Sequence, residues 1–231
     1  MSIAESTAAV LKNIESAALA AGRDPKEILL VAASKMNDAA RVQQAIKAGV
    51  PICGENRVQE MLEKNSQGAY EGAKLHFIGH LQKNKVKQVV GLAELIHSVD
   101  SLPLISAVNK EAEKKSIVQD ILLEVNIGNE ESKSGFSPEE IPGVLSEISG
   151  FSAVRVRGLM AIPPICEIPS ENRPYFERMK QLFVDNREKK YDNVYMDFLS
   201  MGMSGDYQEA IACGANMVRV GSAIFGARIY K

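Results

Sequence analysis

A lysine stands at the end of the first strongly apolar run of the sequence. The run ILLVAAS spans residues 28–34, and Lys35 follows it directly. Such a run is typical of a buried strand, and lysine is among the residue types that are least often fully buried. Val31, Ala33 and Lys35 would share one face of the strand, where the small Ala33 leaves room for the amine. Apolar surroundings lower the pKa of an amine, and a neutral lysine can form a Schiff base with an aldehyde or ketone. The alternative is that Lys35 simply reaches solvent.

Two loops near the C-terminus are rich in small residues and hydroxyl groups and could bind an anion. LSMGMSGD (199–206) follows one strand-like run, and RVGSAIFGARIY (219–230) contains the end of the last one. Gly221 permits close approach of the backbone, and Ser222 opens a short helix whose positive end favours an anion. Either loop alone is equally well explained as a tight turn, whereas the two together favour an anion site. Neighbouring residues that can supply further donors are Ser200, Met201 and Ser204.

The elements that must position these groups alternate regularly along the chain. Eight apolar or β-branched runs are each followed by a segment of helical spacing or, after the last run, by a short terminal turn. The runs are ILLVAAS (28–34), PICGENR (51–57), KLHFIG (74–79), ELIHSVD (94–100), QDILLEVNIG (119–128), VRVRGLMAI (154–162), VYMDFLSMG (194–202) and MVRVGSAIFG (217–226). Repeated strand–helix order is typical of a parallel sheet covered by helices, and eight units predict a closed (β/α)8 TIM barrel. An open doubly-wound sheet is the alternative, although it usually has fewer strands.

Local signals refine this pattern. The helical spacing of residues 1–22 predicts an extra N-terminal helix in front of the barrel. Asp38 can cap a helix over 38–49, and Ser137 can cap another over 137–149. No linker-like stretch divides the chain, so we expect residues 1–231 to form a single domain.

Composition excludes several classes of protein. The 231 residues are 45% hydrophobic and 24% charged, which is ordinary for a globular protein. The net charge of −2 gives no sign of the excess of basic residues that is typical of nucleic-acid-binding proteins. No uncharged stretch is long enough to cross a membrane, and the N-terminus lacks the continuous apolar run of a signal peptide. The three cysteines are widely spaced, which argues against a disulfide framework and favours a cytoplasmic location.

Closing the barrel would place its first and last strands side by side. Lys35 and the two loops would then face the same mouth, within reach of one small molecule. An aldehyde that carries a phosphate matches this pair of features, and pyridoxal 5′-phosphate (PLP) is such a molecule. Arg219 could point into the barrel, since PLP sites commonly place Asp or Arg against the pyridine nitrogen. An arginine there would leave the cofactor a weak electron sink. The alternative for Arg219 is an ion pair with Asp197 or Glu124.

Eight segments form a combination that is far more specific than any one of them. They are AASK, GENRVQE, HFIGHLQKNK, HSVD, EVNIGNEESKSGF, RGLMAI, LSMGMSGDYQEAI and MVRVGSAIFGAR, in this order from about residue 28 to residue 228. Together they resemble the pyridoxal phosphate homeostasis protein family, which comprises single-domain PLP-binding relatives of the barrel domain of alanine racemase.

The resemblance implies a role for each candidate residue. Lys35 would be the Schiff-base lysine, with Asn56 beside the cofactor and Arg219 against the pyridine ring. The residues that would line the phosphate are Ser200, Gly221 and Ser222. The chain departs from the family at Arg57, where an aromatic residue is common, and at Met36 and Asn37, where Thr or Lys is commoner. Neither departure removes a group that the site requires.

Several functions suit a lysine that binds PLP. A racemase needs two bases on opposite faces of the cofactor. In the related racemases, a tyrosine from an additional domain and a partner subunit is the second base. Here Lys231 ends the chain directly after the barrel, and none of the six tyrosines lies in a motif that would replace that base. We therefore expect a non-catalytic protein, a monomer by its resemblance, that takes part in intracellular PLP homeostasis and delivers PLP to apo PLP-dependent enzymes. The alternatives are a PLP-dependent amino-acid racemase or decarboxylase, and a class I Schiff-base aldolase.

For two further residues near the expected mouth, a structural role is favoured over a chemical one. His76 lies on the third strand-like run, where packing in the core is favoured over metal binding or catalysis. Lys133 follows the fifth run, and a role as a secondary amine for cofactor transfer is the less favoured interpretation.

Overall fold

Eight parallel strands close into a barrel in the computed structural model, which describes residues 1–131, 133–164 and 166–226. The strands follow one another around the barrel in chain order, and β1 pairs with both β2 and β8. Their bounds are β1 Leu29–Ala33, β2 Ile52–Glu55, β3 Lys74–Phe77, β4 Leu95–Val99, β5 Gln119–Val125, β6 Val154–Ala161, β7 Val194–Ser200 and β8 Met217–Val220. The predicted (β/α)8 barrel is confirmed.

Helices cover the outside of this sheet and connect its strands. Their bounds are α1 Ile3–Ala20, α2 Ala39–Lys47, α3 Val58–Ser66, α4 Val86–Val89, α5 Leu102–Lys114, α6 Ile141–Glu147, α7 Arg173–Arg187, α8 Tyr207–Ala212 and α9 Ser222–Phe225. The extra N-terminal helix is α1, which begins at a capping box between Ser2 and Glu5 and packs against α2, α8 and α9. Among the helices of residues 1–226, none is both long and apolar enough to span a bilayer.

The core has two layers, as expected for a barrel covered by helices. The larger layer lies between the strands and the helices, and a smaller one fills the barrel interior. Val31 and Ala33 of β1 belong to this interior, whereas Leu30 and Ala32 face the helices. The predicted alternation along the first strand is therefore observed up to Ala33.

Helix starts agree with the sequence in one case and differ in another. The Asp38 side chain caps α2 by accepting a hydrogen bond of 2.8 Å from the N–H of Arg41, as predicted. The prediction that Ser137 caps a helix over 137–149 is wrong, because the helix in this segment, α6, begins only at Ile141. The Ser137 N–H instead donates to Oε2 of Glu140 at 2.7 Å, and this contact closes a turn before the helix.

The end of the chain is described as far as Gly226. Positions 227–230 of the predicted anion-binding segment therefore lie outside the described residues.

Candidate functional site

The seam between β1 and β8 brings two candidate regions together at the carboxyl ends of the strands. Val31 lies opposite Arg219, and Ala32 lies opposite Val220. Gly221 therefore lies beside Ala33, so close that a Cβ added at Gly221 would come within 3.3 Å of the Cβ and the carbonyl oxygen of Ala33. Functional groups of this type of barrel gather at this end, which we call the mouth.

Backbone N–H groups at the start of α9 converge on one hydroxyl oxygen. The Oγ atom of Ser204 accepts hydrogen bonds from Gly221 N–H at 3.0 Å and from Ala223 N–H at 3.4 Å. A hydroxyl oxygen therefore already accepts hydrogen bonds from backbone N–H groups at the place where the sequence predicts an anion site. A phosphate oxygen could take the same two bonds if the Ser204 side chain rotated away.

Ser200 and Met201 make other contacts. Oγ of Ser200 accepts a 2.6 Å hydrogen bond from Nη1 of Arg219, and the N–H of Met201 donates to the carbonyl of Met217 at 3.1 Å. The Met201 side chain is buried in the layer between strands and helices. Of the three further donors that the sequence predicts, Ser204 is the one whose side chain contacts the backbone of Gly221. Contacts of Ser200 and Met201 with a cofactor stay predictions.

Lys35 lies in a turn that directly follows β1 and is half-buried. The side chain of Asn37 donates to the Lys35 carbonyl at 3.0 Å, and Nε of Arg41 donates to Oδ1 of Asn37 at 2.9 Å. Nη2 of Arg41 reaches the carbonyl of Phe225, the last residue of α9, at 2.5 Å. Arg41 therefore links the turn that contains Lys35 to the short helix at Gly221.

Asn56 follows β2 and lines a cavity of about 290 Å³ at the mouth, which we call the mouth cavity. Its lining also includes Gly79, Ser98, Glu124, Asn126 and Lys133. The Oδ1 atom of Asn56 is buried and has no hydrogen-bond partner among the described residues. A buried amide oxygen without a partner is costly, so this atom is suited to accept from a ligand. Arg57, the departure from the family pattern, is exposed.

Arg219 is buried, with 4% of its surface exposed, and it begins a chain of hydrogen bonds across the barrel interior. Besides Ser200, its guanidinium donates to the carbonyl of Ala161 at 2.9 Å. The Oγ atom of Ser200 lies 3.1 Å from Nδ1 of His97, and Nε2 of His97 lies 3.0 Å from Nδ1 of His76. Asp197, considered as an ion-pair partner of Arg219, instead accepts from Nε of Arg157 at 2.6 Å.

Burial determines the charges of the side chains in this series of hydrogen bonds. Burial lowers the pKa of His76 to about 3 and, helped by His76 and Arg219, lowers the pKa of His97 well below its usual value. Burial also lowers the pKa of Arg219 to about 10, with Glu124 and Asp206 acting in the opposite direction, so Arg219 remains a cation. Both histidines are therefore neutral near neutral pH.

The direction of the chain follows from these protonation states. A guanidinium can only donate, so the Ser200 hydroxyl accepts a hydrogen bond from Arg219 and donates one to Nδ1 of His97. Nε2 of His97 then carries the ring proton and donates to His76. This arrangement orients Arg219 through neutral groups. None of the side chains in this series of hydrogen bonds is a carboxylate that would neutralise the charge of Arg219.

Glu124 is the titratable acid of the mouth cavity. Burial, helped by Asp100, raises its pKa to about 7, and the positive charge of Arg219 opposes this effect. The carboxyl group therefore changes its charge near neutral pH.

The sequence did not predict the hydrogen bonds that connect Arg219 through Ser200 and His97 to His76. His76 was expected to pack in the core, and it is buried with 3% exposed, but its pairing with His97 was not expected. The available signal was its position two residues before Ile78, on the face that points into the barrel.

A larger cavity lies at the opposite end of the barrel. It has a volume of about 940 Å³ and is lined by charged groups near the amino ends of the strands, among them Lys74, Asp120, Arg155 and Arg157. In this type of barrel that end contributes to stability, and the chemistry lies at the mouth. Within the described ranges, the acidic, histidine and cysteine side chains do not form a group of three that could hold a metal ion.

Comparisons with known proteins agree with this geometry. Residues 6–229 match the family model described as "Alanine racemase, N-terminal domain". A barrel that has a lysine after its first strand and a glycine–serine turn after its last strand thus falls in the class of alanine racemase barrel domains.

Relatives along the full length specify the family further. The chain is 41% identical over 230 residues to the "Pyridoxal phosphate homeostasis protein" of Aquifex aeolicus, covering 100% of both chains. It is 38% identical over 232 residues to the protein of that name from Escherichia coli K12, covering 99% of this chain and 98% of the relative. PipY of Synechococcus elongatus, solved with PLP bound, is 30% identical with a TM-score of 0.83, covering 97% of this chain and 100% of PipY. The chain belongs to the pyridoxal phosphate homeostasis protein family.

Proposed function

We propose that this protein binds PLP as a Schiff base on Lys35 and acts as a non-catalytic carrier in intracellular PLP homeostasis. The observation that supports this most directly is the closure of β1 against β8. This closure brings Gly221 beside Ala33, two residues before Lys35. One small molecule with an aldehyde and a phosphate could then contact both regions.

The residues present fit such a cofactor. When bound, PLP supplies an aldehyde that condenses with an amine and a phosphate that accepts hydrogen bonds. The N–H groups of Gly221 and Ala223 converge on a single oxygen atom, Ser204 Oγ, as a phosphate oxygen would require. Asn56 Oδ1 is a buried acceptor whose hydrogen-bonding capacity is unused in the described part of the chain.

Each group would then have a distinct role. Lys35 supplies the amine, Gly221 and Ala223 donate their backbone N–H groups to the phosphate, and Ser222 lies between them. Arg219 contacts the pyridine ring, and Asn56 lies beside the ring. In the proposed site, Ser200 acts chiefly by orienting Arg219, and the side chain of Met201 packs behind the wall, in the layer between strands and helices.

The non-catalytic part of the proposal is supported by the location of the tyrosines. A racemase needs a second proton-transfer group on the far face of the cofactor. In the described part of the chain, no tyrosine lines the mouth cavity. Tyr70 donates its hydroxyl to Glu55 at 3.1 Å, and Tyr195 is exposed near the start of β7. The remaining described tyrosines pack in the layer outside the strands: Tyr175, Tyr191 and Tyr207.

We further propose that the protein works as a single-domain monomer over residues 1–231 and that apo PLP-dependent enzymes receive its cofactor. Full-length relatives that are named for PLP homeostasis support this role. Delivery requires that the bound cofactor can leave, and a Schiff base is suited to this because water reverses it.

Reduction of the purified protein with borohydride tests the proposal. We expect a yellow protein whose reduced adduct maps to Lys35 at one equivalent per chain. Lys35→Ala should lose the covalent adduct and retain weaker binding through the phosphate. A full-stoichiometry adduct in Lys35→Ala would show that another amine is the anchor. Racemisation or decarboxylation of amino acids by the pure protein, lost in Lys35→Ala, would contradict the carrier role. A colourless protein that traps a phosphorylated sugar on Lys35 would instead identify an aldolase.

A further inference from the structure

The turn that contains Lys35 is held by an unusual cluster of buried charges behind β1 and β2. The cluster consists of Glu55, the last residue of β2, together with Glu60 and Lys64 of α3. The side chains of Glu55 and Lys64 are 0% and 6% exposed, and that of Glu60 is 19% exposed. Nζ of Lys64 lies 2.8 Å from Oε1 of Glu55 and 2.7 Å from Oε1 of Glu60.

This cluster binds the residue that precedes Lys35. The hydroxyl of Ser34 donates to Oε1 of Glu55 at 2.6 Å, and Nζ of Lys64 donates to the carbonyl of Ser34 at 2.8 Å. Both the side chain and the backbone of Ser34 are therefore held, and Ser34 itself is fully buried.

The same cluster binds the residue that follows Lys35. Oε1 of Glu60 accepts a hydrogen bond from the N–H of Met36. Met36 has a φ of 61°, in the left-handed region that side chains other than glycine seldom adopt. Such a conformation persists only where the surroundings enforce it, and Met36, a residue that is 57% exposed, gains no burial from it.

Stability alone does not account for these charges. A buried ion pair is costly to desolvate, and replacing such a pair by apolar residues is often neutral or stabilising. All three charged residues are connected to the two neighbours of one lysine through the contacts described above. The arrangement therefore fixes the backbone on both sides of Lys35.

We infer that Glu55, Glu60 and Lys64 are positioning residues for covalent binding of PLP at Lys35. The inference rests on the proposed function. In the covalent step, the Lys35 amine adds to the aldehyde carbon and one water leaves, so that a C=N bond replaces the C=O bond. The cluster supplies no atom to this step. It limits the directions from which the amine can approach the carbon, and loss of such alignment slows a reaction between held groups.

Glu60→Ala tests the inference, because it removes the acceptor for Met36 N–H and leaves the Lys64–Glu55 pair intact. Glu63→Ala is the matched control, since Glu63 is an exposed glutamate of the same helix. Glu60→Gln is the conservative variant, because an amide oxygen can still accept from Met36 N–H. The probes are PLP and pyridoxine 5′-phosphate, which has the ring and the phosphate but an alcohol in place of the aldehyde.

We expect Glu60→Ala to slow the appearance of the imine absorbance about tenfold while its affinity for pyridoxine 5′-phosphate stays within about twofold of the parent. Glu60→Gln should recover most of the rate, and Glu63→Ala should match the parent. Met36→Gly serves as a second variant if Glu60→Ala does not fold. It retains the cluster but relaxes the enforced conformation, and it should slow the same step about threefold.

Two outcomes would overturn the inference. One is a parent-like rate of imine formation in Glu60→Ala or, if that variant does not fold, in Met36→Gly. The other is an equal loss of affinity for both probes, which would indicate a general structural role. Failure of the proposed function has a different signature, because the parent protein itself would then form no borohydride-stable adduct on Lys35.

Discussion

Charged groups are arranged differently at the two ends of this barrel. At the amino ends of the strands, Asp120 pairs with Arg155 at 2.5 Å and with Arg157 at 2.7 Å, and all of these side chains are partly exposed. At the mouth, Arg219 is buried and donates to neutral groups, and the buried Asn56 Oδ1 finds no partner among the described residues.

The difference shows what locates a binding site in this molecule. The larger cavity, about 940 Å³, is at the end where the charges satisfy one another, and the mouth cavity has only about 290 Å³. Volume alone would therefore favour the end opposite to the proposed site. At the proposed site, the buried Asn56 Oδ1 retains unused hydrogen-bonding capacity among the described residues. Such an exception needs an explanation, because native structures satisfy nearly all buried polar groups.

The largest expected effect comes from breaking the buried ion pair beside the mouth. Lys64→Met leaves the Glu55 carboxylate buried without its cation, and such losses cost about 3–5 kcal/mol of the free energy of unfolding. Urea denaturation measures this change. The double variant Lys64→Met with Glu55→Gln should recover part of the loss, because it removes the uncompensated charge. A loss below about 1 kcal/mol in Lys64→Met would place this pair in the same class as exposed ones.

A smaller effect concerns the pH dependence of stability. His76 and His97 have lowered pKa values in the folded protein, about 3 for His76, whereas unfolded histidine titrates near 6.5. Their contribution to stability is therefore complete above pH 6.5 and is lost as the pH falls toward the folded-state values. Each histidine should cost about 1.4 kcal/mol per pH unit in this window.

Glu124 acts in the opposite direction. Its pKa rises from 4.5 to about 7 on folding, so its contribution is complete below pH 4.5 and is lost as the pH rises through 7. Between about pH 5 and pH 6, Glu124→Gln should steepen the loss of stability on acidification by about 1.4 kcal/mol per pH unit. Urea midpoints measured across this range for the parent and Glu124→Gln provide the test. Parallel curves would mean that the Glu124 carboxyl titrates normally.

A methyl group at the seam tests the phosphate end of the site. Gly221→Ala would bring a Cβ within 3.3 Å of Ala33, so the start of α9 must shift by a few tenths of an ångström. We expect about tenfold weaker binding of PLP, or about 1.4 kcal/mol. Gly143→Ala in α6 is the control, because its Cβ would meet nothing within 4 Å. Equal affinities of both variants in a fluorescence titration would argue against a phosphate at Gly221.

Most of the fold could be predicted from the sequence, since the alternation of apolar runs and helical segments depends on local periodicity. Closure of the barrel then followed from the count of strands, and the position of Gly221 beside Ala33, at the end of β1, followed from closure. The chain from Arg219 to His76 could not be predicted in this way. It joins four strands across the interior, and its geometry depends on register.

Register is not a local property of this sequence. The pairing of β4 with β5 shifts between Ile96 and Val99, and the pairing of β6 with β7 shifts between Val156 and Gly158. Each shift interrupts the simple alternation of inward and outward side chains. Counting by twos along such strands therefore cannot identify which residues meet in the interior.

The smallest expected effect is at the amino ends of the strands, where Arg155→Met breaks a pair whose arginine side chain is 43% exposed. Solvent screens such a pair, and Asp120 retains Arg157 as a partner. We therefore expect a loss of less than about 1 kcal/mol in the free energy of unfolding and no change in the affinity for PLP. Urea denaturation and a PLP titration of the same preparation measure both quantities. If Arg155→Met weakened PLP binding as much as Gly221→Ala does, the two ends would be coupled, and satisfied charges would no longer distinguish the structural end of this barrel from the binding end.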